Sequence, residues 1–182
     1  ALAGFADVPG TKIIVFYPKN GVSPIQEKQM VTQKGANTFV VGIHGNFDDA
    51  QTGVKKMFGD KELAAQMDKA GYQFSSANSI NIGRLVPQVV YYVYAYAKMY
   101  ANGEVAKGEK INVVVPTGNF GNILAAYYAK NMGVPIDKLI CASNDNKVLY
   151  DFFRTGTYDR NREFILTTSP SMDILISSNL ER

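Results

Sequence analysis

The chain has 182 residues, of which 46% are hydrophobic and 19% charged, and these proportions predict a folded globular protein of one large or two small domains. Its 19 basic and 16 acidic residues leave a net charge of +3, which is too small to indicate binding to nucleic acid or to a membrane surface. Cys141 is the only cysteine and cannot form an internal disulfide, so we expect a reducing compartment, the cytoplasm.

The first half of the sequence alternates strand and helix signals. Residues 12–17 have the apolar character of a buried strand, and Ser23 begins a capping box that predicts a helix over residues 24–34. Residues 38–43 predict a second strand, and Asn46 would cap the helix that follows it. Because strands alternate with helices, we expect a parallel sheet with right-handed crossovers.

A polar connection follows, with a short helix predicted over residues 61–69 and a strand over residues 72–75. We place the crossing between two domains in this region, which divides the chain into residues 1–75 and residues 76–182. Strand and helix signals occur on both sides of the boundary, as expected for the α/β class.

A long helix is predicted over residues 82–100, with Ser79 or Asn81 as its cap and Pro87 in or just beyond its first turn. Pro87 and Lys98 interrupt its apolar run, which makes it a poor candidate for a membrane span. Apolar side chains recur at helical spacing and indicate a face that packs against another helix. This face comprises Leu85, Val89, Tyr92, Tyr96 and Tyr100.

The second half returns to alternating strands and helices. Strands are predicted over residues 111–115 and 138–143, and helices over residues 123–132 and 147–154. The turn at residues 116–122 joins the first of these strands to the first of these helices.

This turn has the composition of a phosphate-binding loop. Gly118 and Gly121 let the backbone turn sharply and approach a ligand closely, because neither has a Cβ. Asn119 and Asn122 add amide donors. A helix that starts directly after such a turn presents unpaired N–H groups and the positive end of its dipole, where phosphate binds without a lysine.

The same turn matches neither of two well-known phosphate motifs. A P-loop ends in Gly-Lys-Ser or Gly-Lys-Thr, whereas Ile123 follows Asn122 here. The dinucleotide fingerprint needs a third glycine at a set spacing. An ordinary strand-to-helix turn with Asn122 as the helix cap explains the pattern equally well. The residues alone therefore leave both interpretations open.

The segment at residues 116–122, Pro-Thr-Gly-Asn-Phe-Gly-Asn, resembles the cofactor-phosphate loop of threonine synthase, a pyridoxal-phosphate enzyme of fold type II. Other segments are similar to that family in the same order along the chain, so the resemblance covers essentially all of it. Cysteine synthase and threonine dehydratase usually carry a more glycine-rich loop, which makes threonine synthase the closer match. The other matching segments are residues 17–19 with 23–28, 44–50, 78–84 and 169–173.

The resemblance implies the α/β, three-layer parallel-sheet architecture of fold-type-II enzymes, with parts of two sheet domains. Residues 1–75 would be part of the smaller domain, and residues 76–182 part of the larger domain that binds the phosphate of pyridoxal 5′-phosphate. The implied reaction converts O-phosphohomoserine and water to threonine and phosphate. The implied cofactor-phosphate site is Thr117, Gly118, Asn119, Phe120, Gly121 and Asn122, and the implied substrate site is Ser79, Asn81 and Arg84.

One element of the family is missing. Its Schiff-base lysine lies in a Phe-Lys-Asp sequence before the segments found here, and no Phe-Lys-Asp occurs in this chain. We therefore expect that lysine upstream of Ala1, and no catalytic residue within the chain, which would be an internal fragment that is inactive without the rest of its polypeptide. Lys147 is the candidate if a lysine of this chain serves instead.

Two other functions agree with the same residues. The chain could belong to another pyridoxal-phosphate lyase or dehydratase, or it could be a non-catalytic α/β module that binds a phosphorylated ligand. A zinc site or a serine-histidine-aspartate triad is not expected, because His44 is the only histidine and no Gly-x-Ser-x-Gly occurs. Capping and an ion pair between domains would also explain residues 78–84.

Overall fold

The structure, a computed structural model, describes residues 1–116, 118–169 and 172–182. The chain divides into two compact units, Ala1–Phe74 and Ser75–Arg182. Each unit contains one pair of parallel strands, as the alternation of strand and helix signals predicts. The assignment of residues 1–75 to a smaller domain and of residues 76–182 to a larger one stays a prediction.

In the first unit the two strands pair in parallel over their whole length, from Ile13 opposite Thr38 to Pro18 opposite Ile43. A helix lies between them in the sequence, which completes a β-α-β unit. The elements of this unit are α1 (Leu2–Phe5), β1 (Ile13–Pro18), α2 (Pro24–Val31), β2 (Thr38–Ile43), α3 (Phe47–Gly59) and α4 (Lys61–Lys69).

Both predicted helix caps in this unit are confirmed, and the short helix predicted over residues 61–69 is α4. Ser23 and Asn46 each form a capping box, in which the cap side chain accepts a backbone N–H and the third helical residue bonds back. Helix α2 ends at Val31 rather than at residue 34. The hydroxyl of Thr32 donates to the carbonyl of Lys28 at 2.6 Å, and such local bonds compete with continued helix.

The strand predicted over residues 72–75 is wrong. These residues pair with no strand in the part of the chain that the structure describes, and a strand exists only through its ladder. Phe74, one of the aromatic residues of this segment, instead packs against α3. Its ring stacks on Phe58 with ring centroids 5.5 Å apart.

In the second unit β3 and β4 are parallel, with Val113 opposite Leu139 and Pro116 opposite Ala142. A helix again connects the two strands, so this unit repeats the β-α-β arrangement of the first. The elements are α5 (Ile82–Leu85), a 3-10 turn (Val86–Gln88), α6 (Val89–Ala101), β3 (Ile111–Pro116), α7 (Gly121–Asn131), β4 (Ile136–Ala142) and α8 (Val148–Thr155).

The single long helix predicted over residues 82–100 is divided in two. Pro87 has no N–H and its ring crowds the preceding turn, so the chain tightens into the 3-10 turn before α6 begins. Asn81 is the cap of α5, and its side chain accepts the N–H of Gly83. None of the helices in the described ranges is both long and apolar enough to cross a bilayer.

Helix α7 is the most deeply buried element of the second unit. Ala125, Ala126 and Ala129 are fully buried, and these small side chains allow α7 to lie close to the elements packed against it. Val89 of α6 and Ile136 of β4 complete the buried cluster. Packing on α6 and on the sheet therefore fixes the axis of α7 and the position of its first residue.

Candidate functional site

The turn between β3 and α7 contains two residues in the left-handed backbone region. Gly118 has φ +52°, and Phe120, which precedes the first residue of α7, has φ +63°. Asn119 between them has negative φ, and such alternation turns successive N–H groups toward one concave surface. Thr117, which the sequence places in this loop, lies outside the described residues.

Two carbonyl groups of this turn accept hydrogen bonds from residues 177–182, the C-terminal segment. The carbonyl of Gly118 accepts the Ser177 hydroxyl at 3.1 Å. The carbonyl of Asn119 accepts both the backbone N–H and the side-chain Nδ2 of Asn179, at 3.2 and 3.0 Å. Ser177 and Asn179 are 7% and 1% exposed, so these bonds are shielded from water.

Several backbone N–H groups of the turn have no acceptor among the described residues. Within the described ranges, no acceptor is placed to bond the backbone N–H of Asn119, Phe120, Asn122 or Ile123. Helix α7 begins here with no side-chain cap and no acidic residue in its first turn. N–H groups that lack an acceptor at a positive helix end can bind an anion.

The side chain of Asn122 bonds to two neighbouring side chains. Its Nδ2 donates to Gln88 at 2.9 Å, and its Oδ1 accepts the Tyr92 hydroxyl at 2.5 Å. Burial raises the pKa of Tyr92 above its ordinary value. Asn122 is not the helix cap, which is Phe120.

Asn119 contributes a polar atom that has no hydrogen-bond partner among the described residues. Its Nδ2 donates weakly to Asn78 at 3.4 Å. Its Oδ1 is buried and accepts no hydrogen bond from the described residues. An unsatisfied buried acceptor costs about 1–3 kcal/mol, so a bound group or a water held with it would stabilise this turn.

Ser79, predicted to bind substrate, lies against the start of α7. A Cβ built on Gly121 would be 2.6 Å from both Cβ and Oγ of Ser79, so only glycine fits there. The Ser79 hydroxyl accepts Asn179 Nδ2 at 3.0 Å and approaches Asn78 Oδ1 at 3.4 Å. The structure thus places the segment at residues 78–84 beside the turn between β3 and α7, which contains Gly118 and Gly121 and is called the glycine turn below.

Asn81 and Arg84 differ in what they can offer to a ligand. The side chain of Asn81 is occupied by the cap of α5 and by a bond from its Nδ2 to the Ser76 carbonyl at 3.1 Å. Arg84 is exposed, and its Nε reaches only the carbonyl of Ala77, at 3.4 Å. Its terminal nitrogens bond to none of the described residues, so they remain available to an anion.

The C-terminal segment carries polar residues that sequence reasoning missed. Arg182 donates from one terminal nitrogen to the Ser79 carbonyl at 3.3 Å and from the other to the Ile80 carbonyl at 2.6 Å. Asn179 bonds to Ser79, to Asn119 and to Arg182. A short polar stretch near Arg182 gives no local signal of these distant partners.

Asp173 is a buried structural carboxylate. It is 1% exposed and accepts Asn144 Nδ2 at 2.7 Å, Asn146 Nδ2 at 3.0 Å, and both the hydroxyl and N–H of Thr167. These bonds connect the loop after β4 to the segment that leads to Ser177. Of the other residues in the matching segment, Ser169 is exposed, and Pro170 and Ser171 lie outside the described residues.

The side chain of Phe120 faces an apolar pocket of about 530 Å³ between α7, β4 and α8. Phe120 and Phe153 of α8 lie with ring centroids 6.2 Å apart. Cys141 also lines the pocket, and burial raises the pKa of its thiol. The contact between the two rings favours the position that the phenyl ring of Phe120 takes up.

No protein-family model matches the chain. "Threonine synthase-like 1" of Homo sapiens is 51% identical over 172 residues, which are 93% of this chain and 23% of that protein. Threonine synthase of Saccharomyces cerevisiae is 42% identical over 182 residues, 100% of this chain and 34% of the enzyme. The Pseudomonas aeruginosa threonine synthase is 39% identical over 100% of this chain and 36% of the enzyme.

Solved structures give the same result. Threonine synthase from Escherichia coli matches with a TM-score of 0.83 and 35% identity over 97% of this chain and 39% of the enzyme. The pyridoxal-phosphate-bound enzyme from Brucella melitensis matches with a TM-score of 0.77 and 42% identity over 100% of this chain and 37% of the enzyme. The predicted fold class is confirmed, and the chain spans between 23% and 39% of the length of these proteins.

We expect Gly121→Ala to destabilise the protein by about 1–3 kcal/mol, because the new methyl group overlaps Ser79 at 2.6 Å. Urea unfolding measures the loss. Gly53→Ala is the matched control, since a Cβ at this helical position in α3 meets nothing within 4 Å and should be neutral or stabilising by up to about 1 kcal/mol. Adding Ser79→Gly to Gly121→Ala should recover much of the lost stability. An equal loss of stability in Gly121→Ala and Gly53→Ala would contradict the packing argument.

Proposed function

We propose that this chain, which is homologous over its whole length to one segment of threonine synthase, supplies such an enzyme with its site for the phosphate of pyridoxal 5′-phosphate. The protein would then convert O-phosphohomoserine and water to threonine and phosphate. The observation that carries the proposal is the set of N–H groups at the uncapped start of α7 that have no acceptor among the described residues. The homology supports the choice of cofactor and substrate.

The described residues fit a phosphate group. The N–H groups of Asn119, Phe120, Asn122 and Ile123 are donors, and the start of α7 adds a positive dipole end. No carboxylate stands in the first turn of α7 to repel a dianion. Gly118 and Gly121 have no side chain that could cover these N–H groups. Thr117 belongs to the same proposed site.

Pyridoxal phosphate, when bound, supplies the electron sink for removing protons next to the substrate amine. The residues of this chain would hold its phosphate end and so orient the ring. Burial of Gly118 and Gly121 limits the access of water to the inner side of the turn. The turn is rigidly supported, because α7 is packed on α6 and the sheet, and such preorganisation lowers the cost of binding.

The proposal predicts that the protein discriminates strongly between pyridoxal 5′-phosphate and pyridoxal, which lacks the phosphate. Several N–H bonds to a charged group should make the phosphorylated form bind about 100-fold more tightly, or more. Absorbance titration of the protein with each compound measures the two dissociation constants. Equal affinities would contradict the proposed phosphate site, and tighter binding of unrelated phosphorylated ligands would favour a non-catalytic module.

For the phosphate of O-phosphohomoserine we propose Ser79, Asn81 and Arg84, with Arg84 as the direct contact. Arg84 is exposed and offers unbonded terminal nitrogens, at least toward the described residues, whereas the other two side chains are used in hydrogen bonds within the protein. Ser79 and Asn81 would fix the conformation of the segment that carries Arg84. A guanidinium matches the geometry of phosphate oxygens.

Arg84→Gln should raise KM for O-phosphohomoserine about tenfold and change kcat less, because the interaction is made equally in the ground state and the transition state. Steady-state kinetics of the full-length enzyme, in which these residues are joined to the rest of the polypeptide, measure both constants with this substrate. Arg160→Gln, at another exposed arginine of the same unit, is the control and should change neither. Equal KM values for the two variants would remove Arg84 from the substrate site.

We also propose that the Schiff-base lysine lies upstream of Ala1, since no Phe-Lys-Asp occurs in these residues. The polypeptide of 182 residues should then form no threonine on its own. Treating it with pyridoxal phosphate and borohydride should label no single lysine stoichiometrically. Specific labelling of Lys147, together with turnover, would show that a lysine of this chain serves instead.

The remaining features agree with this assignment. A single cysteine, half-buried in β4, fits a cytoplasmic enzyme that keeps its thiol reduced. Residues 1–75 would contribute to the smaller domain, and residues 76–182 to the domain that binds the cofactor phosphate. The rest of the polypeptide would supply the elements that complete each sheet.

A further inference from the structure

Asn179 occupies a special position in the second unit. Its side chain is almost fully buried, and its Nδ2 donates to two groups at once: the carbonyl of Asn119 and the hydroxyl of Ser79, each at 3.0 Å. Its backbone N–H donates to the same Asn119 carbonyl at 3.2 Å. Two donors from one residue therefore fix the direction of one carbonyl in the glycine turn.

The direction of that carbonyl determines the direction of the next N–H. All peptide bonds of the described residues are trans, and in a trans peptide the C=O and the following N–H point in opposite directions. When Asn179 holds the Asn119 carbonyl, it turns the N–H of Phe120 away from itself. Ser177 acts in the same way on the Gly118 carbonyl, which sets the N–H of Asn119.

We propose that Asn179, assisted by Ser177, is a positioning residue that sets the orientation of the phosphate-binding N–H groups. Neither side chain would touch the phosphate; both act through the peptide groups of the turn. This inference rests on the proposed function, because it assumes that the turn binds the phosphate of pyridoxal 5′-phosphate. It assigns a task to a segment that no sequence motif singles out.

Without these bonds, the peptide group between Asn119 and Phe120 is expected to rotate. Gly118 has no side chain to restrict it, and Phe120 is a non-glycine residue at φ +63°, a conformation that costs about 1 kcal/mol or more. Loss of the two bonds to the Asn119 carbonyl would let the peptide between Asn119 and Phe120 turn over. Its carbonyl would then face the anion in place of its N–H.

A purely structural role for Asn179 is the competing explanation, because removing any buried amide destabilises a fold. The two explanations differ in what happens to selectivity. A structural defect weakens the binding of pyridoxal 5′-phosphate and pyridoxal alike. A misdirected turn weakens only the phosphorylated form, so the ratio of the two dissociation constants isolates the positioning effect.

The experiment compares Asn179→Ala and Ser177→Ala with the unaltered full-length protein. Absorbance titration gives the dissociation constants for both compounds, and the ³¹P resonance of the bound cofactor reports the surroundings of its phosphate. We expect the ratio to fall about tenfold in Asn179→Ala and less in Ser177→Ala. The ³¹P shift should move toward that of the free cofactor.

Asn146→Ala is the matched control. Asn146 is also a buried amide, 5% exposed, and it bonds to the carbonyl and N–H of Ile165 and to Asp173, but to none of the described residues of the turn. This variant should lower the unfolding midpoint while leaving the ratio and the ³¹P shift unchanged. A loss of selectivity in Asn146→Ala equal to that in Asn179→Ala would overturn the inference.

The two proposals fail in different ways. If the unaltered protein shows no preference for the phosphorylated compound, the phosphate site itself is wrong. If it shows the preference and both variants keep the full ratio, the phosphate site stands and the positioning role is wrong. Should Asn179→Ala not fold, Ser177→Ala decides, because it removes a single oxygen and leaves the packing in place.

Discussion

Two carbonyl groups in the turn between β3 and α7 face the C-terminal segment, where Ser177 and Asn179 donate to them from almost fully buried positions. The opposite faces of the same peptide groups are N–H donors without a partner in the described residues. The C=O and the N–H of one peptide group point in opposite directions. Because the carbonyls are bonded to Ser177 and Asn179, the N–H groups point away from these two residues. The chemistry of the site depends on this division.

Helix α7 gives the turn its fixed position. Its alanine face is fully buried, which brings it close to α6 and to the strand pair. Asn122, in its first turn, bonds to Tyr92 and Gln88, so the helix start is also tied to the chain around Pro87. A binding site built on backbone N–H groups requires such support, since the backbone has no rotamers with which to adjust.

The segments near Ser79 and Asn119 form one structural assembly. Asn179 bonds to both, and Arg182 holds the carbonyls of Ser79 and Ile80. Gly121 completes the contact, because a larger residue would collide with Ser79. The residues proposed for the substrate phosphate and those proposed for the cofactor phosphate are therefore connected through the same buried amide. A displacement of either segment would therefore shift the other.

Local sequence signals determined much of this protein. The capping boxes at Ser23 and Asn46 follow from interactions between residues a few positions apart. The parallel pairing follows from the alternation of strand and helix signals along the chain. The tertiary structure decided the rest: the use of the Asn122 side chain, the unpaired chain at residues 72–75, and the part played by Asn179. Asn179 meets Asn119 and Ser79 across 60 and 100 residues of sequence, and bonds between such distant positions leave no periodicity or spacing in a single sequence. They exist only because burial of α7 and the C-terminal segment brings these groups together out of water, where each must find a partner.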